Sequence, residues 1–444
     1  MSQLLRALGR SVGLKLAMIG FLVLVLLLPT AMIEGVVRER AALEHEARGN
    51  IMQAFGHAQT LSGPILRIPY RQPKIAANGK RFEKTGAIYH LPRNATFKTN
   101  VDTQERYRGL YTIPVFETSV AIEAQFDPVA LSELNLDDAT IEFDRAQLVI
   151  GLSDPRTLRS TPIATVNNLD LTFGPGKRLH ADIGPTIDVA LRDTGFTDAT
   201  KTLSVITQLE FAGTDRLQFL PVGDTQSVFM NANWPDPSFA GHYLPSTRNI
   251  SDAGFDAQWH VTSLGRLYPG TWVDDDVTAP NLHQSAFGTH FKPALNTYDR
   301  ARRAVHYAVL AIVLTFACFF LFDVLNALRL HPFQYLLVGF ANCLFFLLLL
   351  SLAEHIGFAL AYAISAIASI GLIGGYSVTV LGAAKRALLC CAVLAALYGF
   401  VYMTLRAQSY ALLAGSLGLW CVLAAVMYLT RRVDWRAAAA QEMV

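Results

Sequence analysis

The chain has 444 residues, 52% of them hydrophobic and 16% charged, with a formal net charge of +2. Ordinary soluble chains carry roughly 25% charged residues, so this composition excludes a protein that is water-soluble throughout. The net charge says nothing for or against nucleic acid, but no dense Lys/Arg run exists to grip phosphates, and no nucleic-acid partner is expected.

The apolar excess sits in two blocks, Leu14–Val37 and Ala304–Leu429. Within the first, Leu16–Ile33 carries no charge and approaches the ~20 residues that a helix needs to cross hydrocarbon at about 1.5 Å each. Arg6, Arg10 and Lys15 before it resemble the n-region of a signal peptide. The run is long for an h-region, however, and the small-residue cleavage pattern around Pro29–Ile33 is poor, so an uncleaved anchor over 14–37 is the favoured reading. Residues 1–13 are then a cytoplasmic segment. From Glu34 to Phe55 the pattern stays helical, with Glu34/Arg38 and Glu44/Arg48 at i,i+4 spacing. This predicts a stalk over 38–60, ended by Gly56 and by Ser62-Gly63-Pro64.

Beyond the stalk the period changes to two. Val120, Ile122, Ala124 and Phe126 alternate with Ala121, Glu123 and Gln125, and Leu169–Phe173, Ile187–Leu191, Leu203–Phe211 and Ser227–Asn231 read alike. Turn residues separate these runs every 8–15 residues, so 61–303 is expected to form sheets packed face to face in one or two strand-rich lobes. None of the five cysteines falls here, so the domain holds no disulfide and no thiolate metal site. Trp234–Trp259 is distinctive: Pro235, Pro237 and Pro245 donate no ladder hydrogen bond, which predicts a structured loop. Its aromatics either clamp that loop to the sheet, the more ordinary role, or form a binding face with Arg248. Trp234, Arg248 and Trp259 are the candidate residues.

Five further spans are expected within 304–430: His306–Leu325, Gln334–Leu352, Ile356–Tyr376, Ala387–Leu405 and Tyr410–Leu429, with short connections. Lys and Arg concentrate on one side of such a layout, at Arg329, Lys385, Arg386, Arg431, Arg432 and Arg436. The positive-inside rule then puts both termini and the tail 431–444 in the cytoplasm, and residues 38–303 in the periplasm. The fold class expected is membrane α+β: an N-terminal transmembrane anchor, a large β-rich periplasmic domain, and a C-terminal bundle of about five transmembrane helices.

Phosphate-cradling and nucleophile-elbow motifs are missing, and the histidines show no ligand spacing. No catalytic residue, metal or cofactor is expected. In the membrane block, ionisable residues are the functional candidates because burial in lipid is costly. These are Asp323, which has Arg329 as its nearest cation in sequence, His331, Glu354 and His355. They fall near the two membrane faces, while the mid-span polar residues Thr315, Asn342, Ser365 and Ser369 are uncharged. Gly357, Ala361 and Ser365 at four-residue spacing, with Gly371 and Gly375, predict close helix packing or a dimer seam.

Three stretches resemble the CreD family of bacterial inner-membrane, cell-envelope integrity proteins. They are Ser62-Gly63-Pro64 with Ile68-Pro69-Tyr70 and Arg106–Tyr111; Trp234–Phe239 with Leu244-Pro245, Arg248-Asn249-Ile250 and Gly254–Trp259; and His331–Gly339 running on to Leu349–Phe358. The resemblance implies an envelope role, often under two-component control, and no established reaction. The function expected is that of a non-enzymatic inner-membrane protein supporting envelope integrity or an envelope stress response. Its outer domain would bind a periplasmic protein or cell-wall component, with membrane lipids as its other partner and room for a homo-oligomer. The alternative is a transporter or lipid-handling protein that works through the C-terminal bundle, with Glu354 and His355 on head groups or a solute.

Overall fold

The computed structural model describes residues 12–75, 81–134, 136–176, 184–266, 268–273, 284–291, 297–325, 330–406 and 411–431. The chain divides into a helical unit, Met1–His45 with Leu295–Val444, and a β-rich unit, Glu46–Ala294.

One helix, α1 (Val12–Phe55), runs through the expected anchor and on into the expected stalk in 44 unbroken residues, and it ends before residue 60, since strand pairing already starts at Gln59. Pro29 lies inside it without ending it; the Thr30 hydroxyl donates to the carbonyls of Leu26 and Leu27 in the same turn. Leu22, Leu26, Ile33 and Val37 are buried, whereas Phe21, Leu24, Leu28 and Met32 are exposed. That stripe is the packed face of an otherwise lipid-compatible rod.

The other helices of this unit are α2 (Thr297–His306), α3 (Ala308–Leu325), α4 (Pro332–Ile356), α5 (Phe358–Val380), α6 (Ala384–Arg406) and α7 (Ala411–Thr430). Among the described residues α1, α4, α5 and α6 are each long and apolar enough to cross a membrane; α2 and α3 form a pair bent by 40° that would make one further span. The expected first C-terminal span, His306–Leu325, is α3, and the amphipathic helix α2 leads into it across the bend. Gly339 on α4 leaves room for the side chain of Leu26 on α1, since a Cβ there would lie 2.1 Å from Leu26 Cδ1 and 3.0 Å from Phe316 Cζ. Gly357, at φ +78°, makes the turn between α4 and α5. Ala361, Ser365 and Ser369 are buried as expected. Gly371 and Gly375 take no part in packing between this chain's own helices: they face outward, with nothing within 4 Å of a Cβ at either. At about 100° per residue, the step of six from Ser365 to Gly371 turns to another side of the helix.

Two sheets make up the β-rich unit. The eight-stranded one runs β15 (Thr247–Ser251), β16 (Gly254–Thr262), β13 (Thr225–Ala232), β3 (Asn94–Arg108), β4 (Tyr111–Phe126), β11 (Leu203–Thr214), β7 (Ile163–Val166), β8 (Leu169–Thr172). The other runs β14 (Ser238–Gly241), β18 (Phe287–His290), β12 (Arg216–Phe219), β1 (Gln59–Ile75), β6 (Gln147–Leu152), β10 (Thr186–Ala190), β9 (Gly174–Pro175), with β2 (Arg81–His90), β5 (Thr140–Ile141) and β17 (Thr271–Val273) beside it. All five alternating runs read from the sequence fall on strands, with Phe173 and Leu191 just past the ends of β8 and β10. Their inward sets meet in one core, where Phe97 packs edge-on to Phe219 at 5.6 Å and Phe116 lies 5.1 Å from Phe291.

Trp234–Trp259 departs from expectation. It contains β14, β15 and the start of β16; Pro235 and Pro237 fall between β13 and β14, and Pro245 between β14 and β15, where no ladder donor is lost.

Candidate functional site

The Trp234–Trp259 aromatics fasten the two sheets together. Phe239 from β14 stacks edge-on to Phe255 and Trp259 from β16 at 5.4 and 5.7 Å, and Trp259 lies 6.1 Å from Phe287. Trp259 is fully buried. Trp234 is half-buried, its indole N–H donating to the Asp236 carbonyl at 2.8 Å. These contacts are those of the clamping role, and they leave Trp259 out of reach of solvent while part of Trp234 stays exposed.

Arg248 has a different environment. It sits on β15, an edge strand exposed along its whole length, at the rim of a concavity of about 520 Å³ on the open face of the eight-stranded sheet. Period two puts successive rows of side chains on that face. One row carries Thr247, Gln258, Phe229, Lys98, Ala121 and Gln208; the next carries Asn249, Asp256, Asn231, Asn100 and Ser119. Asn231 Nδ2 donates to Asp256 Oδ1 at 2.7 Å, and Gln208 Nε2 to Ser119 Oγ at 2.9 Å. Lys98 is paired with Glu123 at 2.8 Å. The floor is therefore close to neutral, rich in amide donors and acceptors, and carries one half-exposed aromatic ring, Phe229. Convergent polar groups around an apolar patch are what small, oriented ligands require.

Opposite charges in the helical unit tie α1 to the other helices. Lys15 Nζ lies 2.7 Å from Asp323 Oδ2, with the Asp323 side chain buried. Arg40 lies 3.8 Å from Glu354 Oε1, and the Tyr298 hydroxyl donates to the same oxygen at 3.1 Å. Asp323 thus has Lys15 as its partner; Arg329 lies outside the described residues, as do Arg6, Arg10 and the tail beyond Arg431. Between these pairs, Tyr398 donates to Asn342 Oδ1 at 3.0 Å and Asn342 Nδ2 to the Val338 carbonyl at 3.1 Å. His331 is an N-cap: its ring nitrogen accepts from Phe333 N while Gln334 Oε1 accepts from His331 N, a reciprocal capping box. His355 is exposed at the end of α4.

A third cluster went unnoticed in the sequence because its members are about 100 residues apart. Arg156 donates twice to Asp154, at 2.8 Å each, and His57 Nδ1 lies 3.1 Å from Asp154 Oδ2. The Arg156 hydrogen bonds, helped by those from His57 against the cost of burial, hold the Asp154 carboxyl well below the usual carboxylate range. Gln59 is buried behind it, accepting from Asp154 N and donating to Thr157 Oγ1 and the Ala212 carbonyl. These bonds anchor the strand that follows α1. Among the described residues no group of three or more His, Cys, Asp and Glu side chains is arranged to hold a metal.

The comparisons agree with this architecture. Residues 11–436 match the family described as CreD, inner membrane protein CreD. Inner membrane protein CreD of Escherichia coli (strain K12) is 33% identical over 422 residues, which is 94% of this chain and 92% of that protein. Among solved structures, an M1 zinc metallopeptidase mutant from Deinococcus radiodurans, bound to a Tyr-Ser-Ala substrate, aligns with 79% of this chain and 92% of its own. The identity is 9% and the TM-score 0.19, a value at which no common fold is implied.

Proposed function

The chain belongs to the CreD family of inner membrane proteins, and from that premise we propose that it supports the integrity of the cell envelope as a binding protein rather than as an enzyme. In this reading the β-rich unit lies in the periplasm, both termini are cytoplasmic, and the open face of the eight-stranded sheet takes a periplasmic protein or cell-wall component. The observation that carries it is the neutral, amide-lined concavity around Phe229, Asn231, Asn100, Asn249 and Gln258. Its paired hydrogen-bonding groups suit a ligand dense in hydroxyls and amides, and the exposed ring gives a flat apolar rest.

The transport or lipid-handling alternative would work through Glu354 and His355. It draws less support, because Glu354 is already engaged by Arg40 and Tyr298, which suits a tie between helices better than a site waiting for a solute.

Photo-crosslinking in cells tests the proposal, with a photoreactive amino acid replacing Phe229 or Thr247, and Leu264 as a control position away from the concavity. A defined adduct at the first two positions, lost when Asn231→Ala and Asn249→Ala are added, is the expected result. Adducts equal at all three positions, or only to lipid, would refute it.

A further inference from the structure

The open face of the eight-stranded sheet has a direction as well as a composition. Its concavity is lined from Thr247 and Asn249 on β15, at one edge of the sheet, to Gln208 on β11. In the order of the sheet β11 is the fifth strand after β15, which makes about 24 Å at the usual separation of neighbouring strands. The two rows of side chains on its floor lie two residues apart along each strand, about 7 Å. It is therefore a trough roughly three times as long as it is wide, running across the strands.

A trough in that direction does not suit an extended peptide. The backbone groups of β16, β13, β3 and β4 are used in ladders on both sides, and an added peptide strand pairs along a sheet edge, parallel or antiparallel to its strands. What the trough offers is side chains. Nor does it suit an anionic chain. Lys98 is paired with Glu123, and Arg248 on β15 is balanced by Asp256 on the adjoining β16. A phosphate or carboxylate would meet the Asp256 carboxylate with no surplus of positive charge to hold it.

The same groups suit hydroxyls carried on saturated rings. Asn231 Nδ2 donates to Asp256 Oδ1, and both residues are exposed, so the pair keeps a carboxylate oxygen, an amide oxygen and a second amide hydrogen for a ligand. Adjacent donors and acceptors of this kind match neighbouring hydroxyls, each of which both gives and takes a hydrogen bond. Asn100 stands beside Asn231 on the next strand and extends the pattern. Phe229, in the other row, is 40% exposed, and the negative face of its ring attracts the C–H face of a sugar. Ala121, two strands on, leaves the floor low enough for a ring substituent.

Building on the reading that this face is the binding site, we propose that its occupant is an uncharged polysaccharide laid across the strands. It is a chain of hexose or N-acetylhexosamine rings, with one ring on Phe229 and hydroxyls on Asn231 and Asp256.

Calorimetric titration of the full chain in lipid nanodiscs tests this. Two probes, a β-1,4-linked tetramer of N-acetylglucosamine and the matching tetramer of glucose, separate the two sources of the shared ring chemistry. Saturable binding of at least one tetramer is expected, with its monosaccharide weaker by about tenfold or more because it fills only part of the trough. Phe229→Ala and Asn231→Ala should each weaken the tetramer about tenfold. Phe229→Tyr keeps the ring and should keep the affinity, and unchanged thermal unfolding temperatures show that all three variants fold. Raising the salt concentration should leave the affinity constant. No binding of either tetramer overturns the proposal, as does binding that Phe229→Ala leaves unchanged or that falls steeply with salt. If neither tetramer binds while photo-crosslinks at 229 and 247 still capture one protein, the sheet face keeps its role and only the polysaccharide is refuted. If those crosslinks fail as well, both readings fall.

Discussion

Lys15 and Asp323 are 308 residues apart in sequence yet in hydrogen-bond contact, with the carboxylate buried. Removing one partner of such a pair strands the other charge, at a cost of roughly 3–5 kcal/mol. Asp323→Ala is therefore expected to lower the thermal unfolding temperature in detergent markedly, whereas Lys15→Met with Asp323→Leu recovers most of the loss. A double-mutant cycle that shows no coupling between the sites would contradict this. In the β-rich unit, His90 is buried, with Nε2 donating to the Asp127 carbonyl at 3.1 Å and Nδ1 accepting from the Thr271 hydroxyl at 2.7 Å. Burial lowers its pKa, against the raising effects of that carbonyl and of the Asp224 and Asp127 charges. The folded chain keeps His90 neutral, while the unfolded chain takes up a proton below about pH 6.5. The stability it contributes is thus present above about pH 6.5 and lost as the pH falls further. Denaturant titrations followed by tryptophan fluorescence should show this decline, and His90→Gln should flatten it. Asp154 acts in the same sense lower on the scale: its stabilisation is lost as pH drops below about 4.

Among the elements, α1 shows what one small residue permits. Gly339 is where Leu26 of α1 fits against α4. Gly339→Leu forces a buried overlap, of a kind that costs about 1–3 kcal/mol or more, and should reduce the amount of folded protein recovered from membranes. Gly371→Leu, which points into open space, should leave the yield of folded protein unchanged; equal losses from both would refute the packing assignment. The contrast also marks what was legible in sequence. Four-residue spacing located the buried run Ala361–Ser365–Ser369, but the phase that carries Gly371 to the outer side emerges only once the helix is placed among its neighbours. In the sheets, two-residue alternation found strands wherever one face is buried. It failed in Trp234–Trp259 because prolines were weighed as excluding strands there, although they fall in the gaps between strands. The charge partners of Asp323 and Glu354 were illegible for a plainer reason: both come from α1, and nothing local in a sequence pairs residues some 300 positions apart.

For the molecule as a whole, the proposed orientation predicts opposite reporter behaviour on its two parts. A phosphatase fused near Thr200 should be active and a fluorescent protein there dark, with the reverse at the C-terminus; equal behaviour at both sites would contradict a periplasmic β-rich unit. The order in which the strands join has a further consequence for biogenesis. Strand β1 pairs in parallel with β12, Gln59 opposite Leu217, and β3 pairs in parallel with β13, Asn94 opposite Thr225. At about 5–20 residues per second of synthesis, β1 emerges roughly 8–30 s before its neighbour exists. Over that interval the Gln59–Leu61 edge of β1 is open to any passing chain, and the longer Asn94–Val101 edge of β3 waits about as long for β13, so a holdase present during synthesis should raise yield more than one supplied afterwards.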